Sequence, residues 1–388
     1  MTETVSTGSP QTEGPTDAKP KVCIFHTGPA VPQMLLGEDV AVAGGSELQL
    51  ASIARGLHER EWSISFVLRD SNAGQTATCV NGIRLIRAQS GKRGVPILRF
   101  FTNTLPSNLN LIRQAGADVY VMMGVGWQSG LLAWSCGGHA HRFILWLASI
   151  TDPMCGTRRY SSLAVQERWL ARYGLRHADV IVAQTRDQQR LLREHQGRES
   201  VLIRNIWPTD ESQYIPPGDP PEVFWAATVR ELKRPHLFLD VAEALPSIRF
   251  VMAGGPAEGN PGLYDEVKAR AESMANVDFL GFVPFREIDE YYARASAYLC
   301  TSTIEGFPNT LLQAWSHGRP VVSTFDPDEV ICEHNLGFHC QDFDELVTAV
   351  RTACENSSDY AERVRRYLRE HHSPEAIMPQ VESVLRGD

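Results

Sequence analysis

Cysteine is sparse for a disulfide scaffold. Eight are scattered over 388 residues, at positions 23, 79, 136, 155, 300, 332, 340 and 354, with no dense framework, so reduced thiols in a cytosolic compartment are expected. Positive charge is in deficit. Lys and Arg number 37 against 46 Asp and Glu, a formal charge of −9, which is the wrong sign for a protein whose main partner is a nucleic-acid backbone, although a local basic pocket can still take a small anion. Glycine and proline, 30 and 23 residues, are too few for a collagen-like or broadly disordered chain. Walker A and HExxH patterns are missing. The charge-free stretch 119–138 has membrane length, but five glycines with Gln128, Ser129 and Ser135 interrupt it. It divides into a buried strand (Val119 to Met123), a glycine turn and a short helix around Leu131 to Trp134. Without a span, attachment to a bilayer can only be peripheral.

What is present is ample core material, 43% hydrophobic residues, in a chain long enough for two domains of roughly 150 residues or more. Residues 1–20, rich in Thr, Ser, Gly, Pro and Glu without an apolar run, read as a disordered tail and not as a secretory signal. From residue 21 onward, short apolar runs alternate with amphipathic stretches. Strands are expected at 22–26, 64–68, 84–88, 119–123, 143–147, 180–183 and 201–203, and again at 223–227, 250–253, 277–280, 297–301 and 320–323. Helices are expected at 46–60, 188–196, 235–244, 264–274, 286–295 and 310–317. Between the halves, prolines 216, 217, 220 and 221 mark an extended connection that suits neither a helix nor a sheet interior. The expected fold is therefore α/β: two doubly wound, Rossmann-like domains, residues 21–206 and 207–373, facing across a cleft, with 374–388 free to pack back on the first.

Three segments could carry chemistry. In AGGSELQLASIARGLHER, Gly44 and Gly45 precede Ser46, an N-cap type, and a helix that buries Leu48, Leu50, Ile53 and Leu57. A glycine pair at a helix tip lets backbone N–H groups approach a phosphate, although a tight loop feeding a core helix gives the same pattern. In FWAATVRELKRPHLFLDVA, Arg230, Lys233 and Arg234 sit between a strand and a helix starting at Pro235, which suits a diphosphate clamp as well as a solvated surface. In AYLCTSTIEGFPNTLLQAWSHGRPVVST, Glu305 lies at a turn with Gly306, and Pro308 and Asn309 open a helix that Gly318 and Pro320 close. Glu305 and Gln313, eight apart, can both point into one crevice and grip sugar hydroxyls. A polar turn that only caps a helix is the plainer reading, weakened by Phe307 and Trp315 beside polar groups that need partners.

Taken in this order, GGSE, VRELKRP, the AGGP turn, FLGFVPFREIDEYYARA and above all EGFPNTLLQAW resemble the retaining, nucleotide-sugar-dependent GT-B glycosyltransferases of family 4, and the resemblance runs from residue 21 onward. It implies a hexosyltransferase-type enzyme that moves a sugar from a nucleotide diphosphate donor to an acceptor hydroxyl on a glycan, a lipid-linked carrier or a small molecule. No cofactor or metal is implied beyond the donor as co-substrate. Carried over by position, Gly44 and Gly45 meet the donor diphosphate through their backbone, Arg230 and Lys233 neutralise it, and Glu305 contacts the transferred sugar. The Gly306, Phe307, Pro308 and Asn309 backbone shapes that pocket. Gly255 and Val283 line the diphosphate and base ends, and Gln313 stands where the family's second glutamate grips ribose.

Ala148, Ser149 and Asp152 occupy the region where many relatives carry a histidine; His26 and Asp152 could approach the cleft, although a lone histidine at a strand end is more often structural. A GT-B epimerase or glycoside phosphorylase, or a non-catalytic nucleotide-sugar or polysaccharide-binding protein, stays open as an alternative. Asp326 and Asp328 spell a DxD, read as a loop beside the donor site, not as a cation holder. The clusters Cys136, His139, His141 and Cys332, His334, His339, Cys340 lack a zinc-finger spacing and are not expected to hold a metal.

Overall fold

The computed structural model describes residues 19–26, 30–36, 44–70, 77–89, 102, 105–137, 141–155, 165–209, 214–257 and 261–388. Residues 1–18 of the expected tail, His139, and residues 210–213 before the proline-rich connection lie outside that set.

The first lobe runs β1 (Val22–His26), α1 (Ala30–Leu36), α2 (Gly45–Glu59), β2 (Ile64–Asp70), β3 (Ala77–Val80), β4 (Ile83–Gln89), α3 (Leu105–Ala115), β5 (Val119–Met123), α4 (Trp127–Gly137), β6 (Arg142–Trp146), α5 (Val165–His177), β7 (Val180–Ala183), α6 (Arg186–Gln196) and β8 (Val201–Leu202). Its eight strands are ordered β3-β4-β2-β1-β5-β6-β7-β8, parallel except where β3 meets β4. The second lobe runs β9 (Glu222–Ala226), α7 (Pro235–Ala244), β10 (Arg249–Ala253), α8 (Pro261–Glu272), β11 (Val277–Gly281), α9 (Ile288–Arg294), β12 (Ala297–Cys300), α10 (Asn309–Ser316), β13 (Val321–Ser323), α11 (Val330–Glu333), β14 (Gly337–His339), α12 (Phe343–Glu355), α13 (Ser357–His372) and α14 (Pro374–Arg386). Its parallel sheet is ordered β11-β10-β9-β12-β13-β14.

Central strands of such sheets are covered on both faces, which is why β5 (VYVMM) and β9 (EVFWA) are buried at every position and show no alternation in sequence. Each sheet separates two apolar clusters, four in all. The last helix crosses back. Ile377, Met378, Val381, Val384 and Leu385 of α14 join Ile24, Leu50 and Leu57 in one first-lobe cluster, and Gly56 of α2 leaves room for Met378, whose Sδ would lie 2.8 Å from an added Cβ. Before crossing, the chain end runs beside the link between the lobes. Trp207 N–H donates to His372 O at 2.8 Å, and the His372 ring, fully buried, bonds through Nδ1 to Asn205 O at 2.7 Å. Burial pushes the His372 pKa down to about 3, so the neutral ring donates from Nδ1.

Several elements escape the sequence reading for physical reasons. The helix α13, SSDYAERVRRYLREHH, is polar overall, and the stripe it buries, Ala361, Val364, Tyr367 and Leu368, keeps helical spacing but holds few large aliphatic residues to draw attention to it. The antiparallel β3 and the edge strand β14 are four and three residues long. The helix cap at the first motif also shifts: α2 begins at Gly45 with extended Gly44 as its N-cap, not Ser46, because Glu47 reaches back to accept the Gly44 N–H at 2.9 Å. Among the described residues no helix is long and apolar enough to cross a membrane.

Candidate functional site

The first-lobe wall is the tip of α2. Gly44 and Gly45 are exposed, and the first N–H groups of a helix have no partner within it, so this tip presents donors and the positive end of the helix dipole. Glu47, besides capping, lies 3.5 Å from His26 Nε2, with both side chains nearly buried.

The second-lobe wall is built from the loops that follow two neighbouring strands, β9 and β12. After β9, a single 3-10 turn over Glu231–Lys233 begins at Arg230, and Arg234 at φ 48° redirects the chain into Pro235 of α7. Lys233 Nζ donates to Glu305 Oε1, and the two side chains are only 15% and 17% exposed. Arg230 is exposed and makes no ion pair among the described residues. The loops are strapped together: Thr301 Oγ1 donates to Lys233 O at 2.5 Å and accepts from Trp225 Nε1 at 2.9 Å, while Thr303 N–H donates to Leu232 O at 2.9 Å.

The segment from Glu305 to Asn309 then bridges to the first lobe. At Gly306 a side chain would be tight, since an added Cβ would sit 3.1 Å from Ala148 O and 3.4 Å from Gln184 Oε1. Phe307 is buried between Trp315 and the His372 ring, and Pro308 caps α10. Asn309 is the hub. Its Oδ1 accepts from Gln49 Nε2 and from Asn205 Nδ2, each at 3.0 Å, and its Nδ2 donates to Gly45 O at 3.1 Å. Gln49 also exchanges two bonds with Ile206, at 2.8 and 3.0 Å, and Asn205 Nδ2 reaches Phe307 O at 3.0 Å. Lys233, Glu305, Asn309 and Gly45 are therefore joined in one continuous path across the lobes.

Neither Gln49 nor Asn205 was expected to take part in the site. The available signal was a glutamine on the apolar face of α2, where Leu48, Leu50 and Ile53 mark the buried side; Gln49 is 2% exposed. Gln313 is 4% exposed and donates to Asp289 Oδ1 at 2.8 Å, an oxygen that also lies 3.2 Å from His317 Nε2. The carboxylate on this side of the second lobe thus belongs to Asp289 of α9, which the sequence reading did not single out. Gly255 accepts from Val229 N–H at 2.9 Å and abuts Phe282, next to the half-buried Val283. On the first lobe, Asp152 accepts from Ala148 N–H at 2.7 Å and Ser149 N–H at 3.1 Å, and burial raises its pKa to about 6. It organises the loop that faces Gly306.

The DxD residues hold backbone. Asp326 accepts from Ile331 and Cys332 N–H at 2.9 and 3.0 Å. Asp328 accepts from Arg186 and Asp187 N–H at 2.9 and 3.3 Å, at the start of first-lobe helix α6, and lies 3.7 Å from Arg204. Asp328 and Glu329 both hold positive φ, 56° and 62°, a backbone conformation that costs energy at a non-glycine residue and is retained where the surroundings fix it.

Comparison with known proteins agrees with this architecture. The family model "Glycosyl transferase 4-like domain" matches residues 44–206, and "Glycosyl transferases group 1" matches residues 220–356. A stretch of 140 residues is 33% identical to the alpha-galactosylglucosyldiacylglycerol synthase of Streptococcus pneumoniae, covering 35% of this chain and 36% of that one. The matches span between about a third and a half of the length of the curated relatives. Among solved structures, the sucrose-phosphate synthase of Thermosynechococcus elongatus superposes with a TM-score of 0.75 at 17% identity, over 95% of this chain and 99% of that one. Anabaena HepE in complex with UDP and glucose gives 0.71 at 16%, over 95% and 100%. With one family model on each lobe and both lobes in the arrangement of those structures, the chain belongs to the group 1 glycosyltransferases and has the GT-B fold.

Proposed function

We propose that the protein transfers a sugar from a nucleotide diphosphate donor to an acceptor hydroxyl, with retention of anomeric configuration as its family resemblance implies. The donor lies on the second lobe and the acceptor on the first. The observation that carries this reading is the bridging segment, tied to the Lys233 ammonium through Glu305 and to the α2 tip through Asn309.

In the transition state negative charge grows on the leaving diphosphate while the sugar ring becomes cationic. Lys233 and Arg230 meet the first development, together with the N–H of Gly45, and Glu305 meets the second. Before donor binds, Glu305 holds the Lys233 ammonium in place. The donor diphosphate then competes for that ammonium, which frees the carboxylate to accept sugar hydroxyls. Fixed cations take the role that a divalent ion plays elsewhere. Gly306, Phe307 and Pro308 shape the sugar pocket, Gly255 and Val283 the nucleotide end, and the Gln313–Asp289 pair offers an amide and a carboxylate to the donor's ribose.

The name of one relative, a diacylglycerol glycolipid synthase, supports a lipid acceptor, and one neighbour of the same fold was solved with UDP and glucose, in keeping with a nucleotide-sugar donor. A cytoplasmic site of action, with peripheral contact at the inner face of a membrane for a lipid-linked acceptor, completes the reading. A thermal-shift panel of UDP, GDP, ADP and their sugars tests donor binding, since a ligand specific to the folded state raises its melting temperature. Release of nucleoside diphosphate from the stabilising sugar, dependent on added glycan or lipid acceptor, is the expected outcome. Donor binding without release under any acceptor would reduce the protein to a binding module.

A further inference from the structure

We propose that the turn between β13 and β14 is a binding site for a zinc-class divalent transition-metal ion, held by Asp326, Cys332 and His339. The sequence offers four soft ligands here, Cys332, His334, His339 and Cys340, and their spacing fits no finger. Folding selects two of the four and adds a carboxylate. His334 turns away to pack against Tyr367 and His371, and Cys340 is buried in the second-lobe core. One ligand atom each from Asp326, Cys332 and His339 lies within 4.8 Å of the others. Ligand atoms around a tetrahedral zinc stand roughly 3.5 Å apart, so side-chain rotation of about an ångström closes the set.

The three ligands come from three elements that the fold fixes independently. His339 ends β14, where it pairs with Ser323 of β13; Cys332 lies in α11; and Asp326 sits on the loop leaving β13. Their supports resemble the outer shell of a metal site. The Cys332 thiol lies against both the Asp326 carboxylate and the backbone N–H of His339, and the Asp326 carboxylate is oriented by the N–H groups of Ile331 and Cys332. A thiolate, an imidazole and a carboxylate suit zinc or cobalt over magnesium or calcium, which prefer all-oxygen sets. Cys332 is exposed and Asp326 and His339 are half-buried, so an ion has access, and water completes the fourth position. Binding releases the Cys332 proton to solvent as the sulfur–metal bond forms. The ion would also brace the loop that carries Asp328, the residue seated on the tip of α6.

The proposed site shares no residue with the proposed donor contacts, so its test does not depend on the transfer reaction. The test titrates the full-length chain with Co2+ and follows absorption, with Zn2+ competition. The expected result is one equivalent bound per chain, with a thiolate-to-cobalt charge-transfer band. Cys332→Ser abolishes the band, His339→Ala lowers Co2+ affinity at least tenfold, and both variants keep the wild-type circular dichroism spectrum. Zn2+ displaces the cobalt and raises the melting temperature of the wild type but not of Cys332→Ser. Binding of less than a third of an equivalent, or a band that survives Cys332→Ser, overturns the proposal.

Discussion

The two walls of the cleft are made of different materials. The second lobe offers charged side chains, Lys233, Arg230 and Glu305, held on loops that two buried hydroxyl and indole contacts strap together. The first lobe offers backbone: two exposed glycines at a helix tip whose first turn carries Glu47 and no cation. A charged wall can be tuned residue by residue, whereas a backbone wall works only if the opposing lobe is positioned correctly. That positioning comes from amides, Gln49, Asn205 and Asn309, and from the neutral His372 at the crossing.

Removing the charged wall should do most harm. Lys233→Ala deletes a preorganised charge contact worth about 3 to 4 kcal/mol, so turnover should fall a hundredfold or more in steady-state kinetics with the stabilising donor. Turnover within threefold of wild type would remove Lys233 from the chemistry.

Next in size is the crossing. His372 stays neutral in the folded chain down to about pH 3 but titrates near 6.5 when unfolded. Between those values the unfolded state holds one more proton, and stability falls as pH falls. From neutral pH to about pH 5 this amounts to about 2 kcal/mol. Asp152, raised from 3.8 to about 6, acts in the opposite sense over its own window, favouring the folded chain as pH falls, so the difference between wild type and His372→Gln isolates the ring. Denaturant melts should show that difference shrinking at acid pH; a constant difference from pH 7 to 5 would contradict the assignment.

Asn309→Ala breaks the bonds to Gln49, Asn205 and Gly45 together. It should cost about 1.5 kcal/mol of stability by urea unfolding, mostly from donors left unpaired. The smallest expected effect is on the backbone wall itself. In Gly45→Ala the new Cβ meets Asn309 Nδ2 at 3.1 Å, and the side chain must give by a few tenths of an ångström. About 1 kcal/mol, or a fivefold loss in kcat/KM with little change in melting temperature, is expected. A loss equal to that of Lys233→Ala would mean that the two walls are not divided as described.

The charged wall was legible in the sequence because each motif is local: strand, turn, cation or carboxylate, and helix start fall within some fifteen residues of one another. The alternation of apolar runs likewise gave both sheets nearly strand for strand. What stayed hidden is whatever depends on distant partners. Asn309 was chosen for its backbone, yet its side chain joins residues 45, 49 and 205, a relation no spacing encodes. His372 lies at the end of a polar helix, one turn beyond the apolar stripe that ends at Leu368, and a titratable residue at a helix end does not by itself announce burial. Gln313 was expected to face a ribose directly, and its partner Asp289 comes from another helix. Asp326 was counted with Asp328 as a DxD, although strand pairing places it with Cys332 and His339.

The most direct test of a diphosphate held between unlike walls is a crystal structure of the chain with whichever of UDP, GDP or ADP stabilises it most. The account predicts the diphosphate within hydrogen-bond reach of both Lys233 Nζ and the Gly45 N–H, with the Glu305 carboxylate released from Lys233. A diphosphate bound to the second lobe alone, with the α2 tip facing solvent and Lys233 still paired with Glu305, would contradict it.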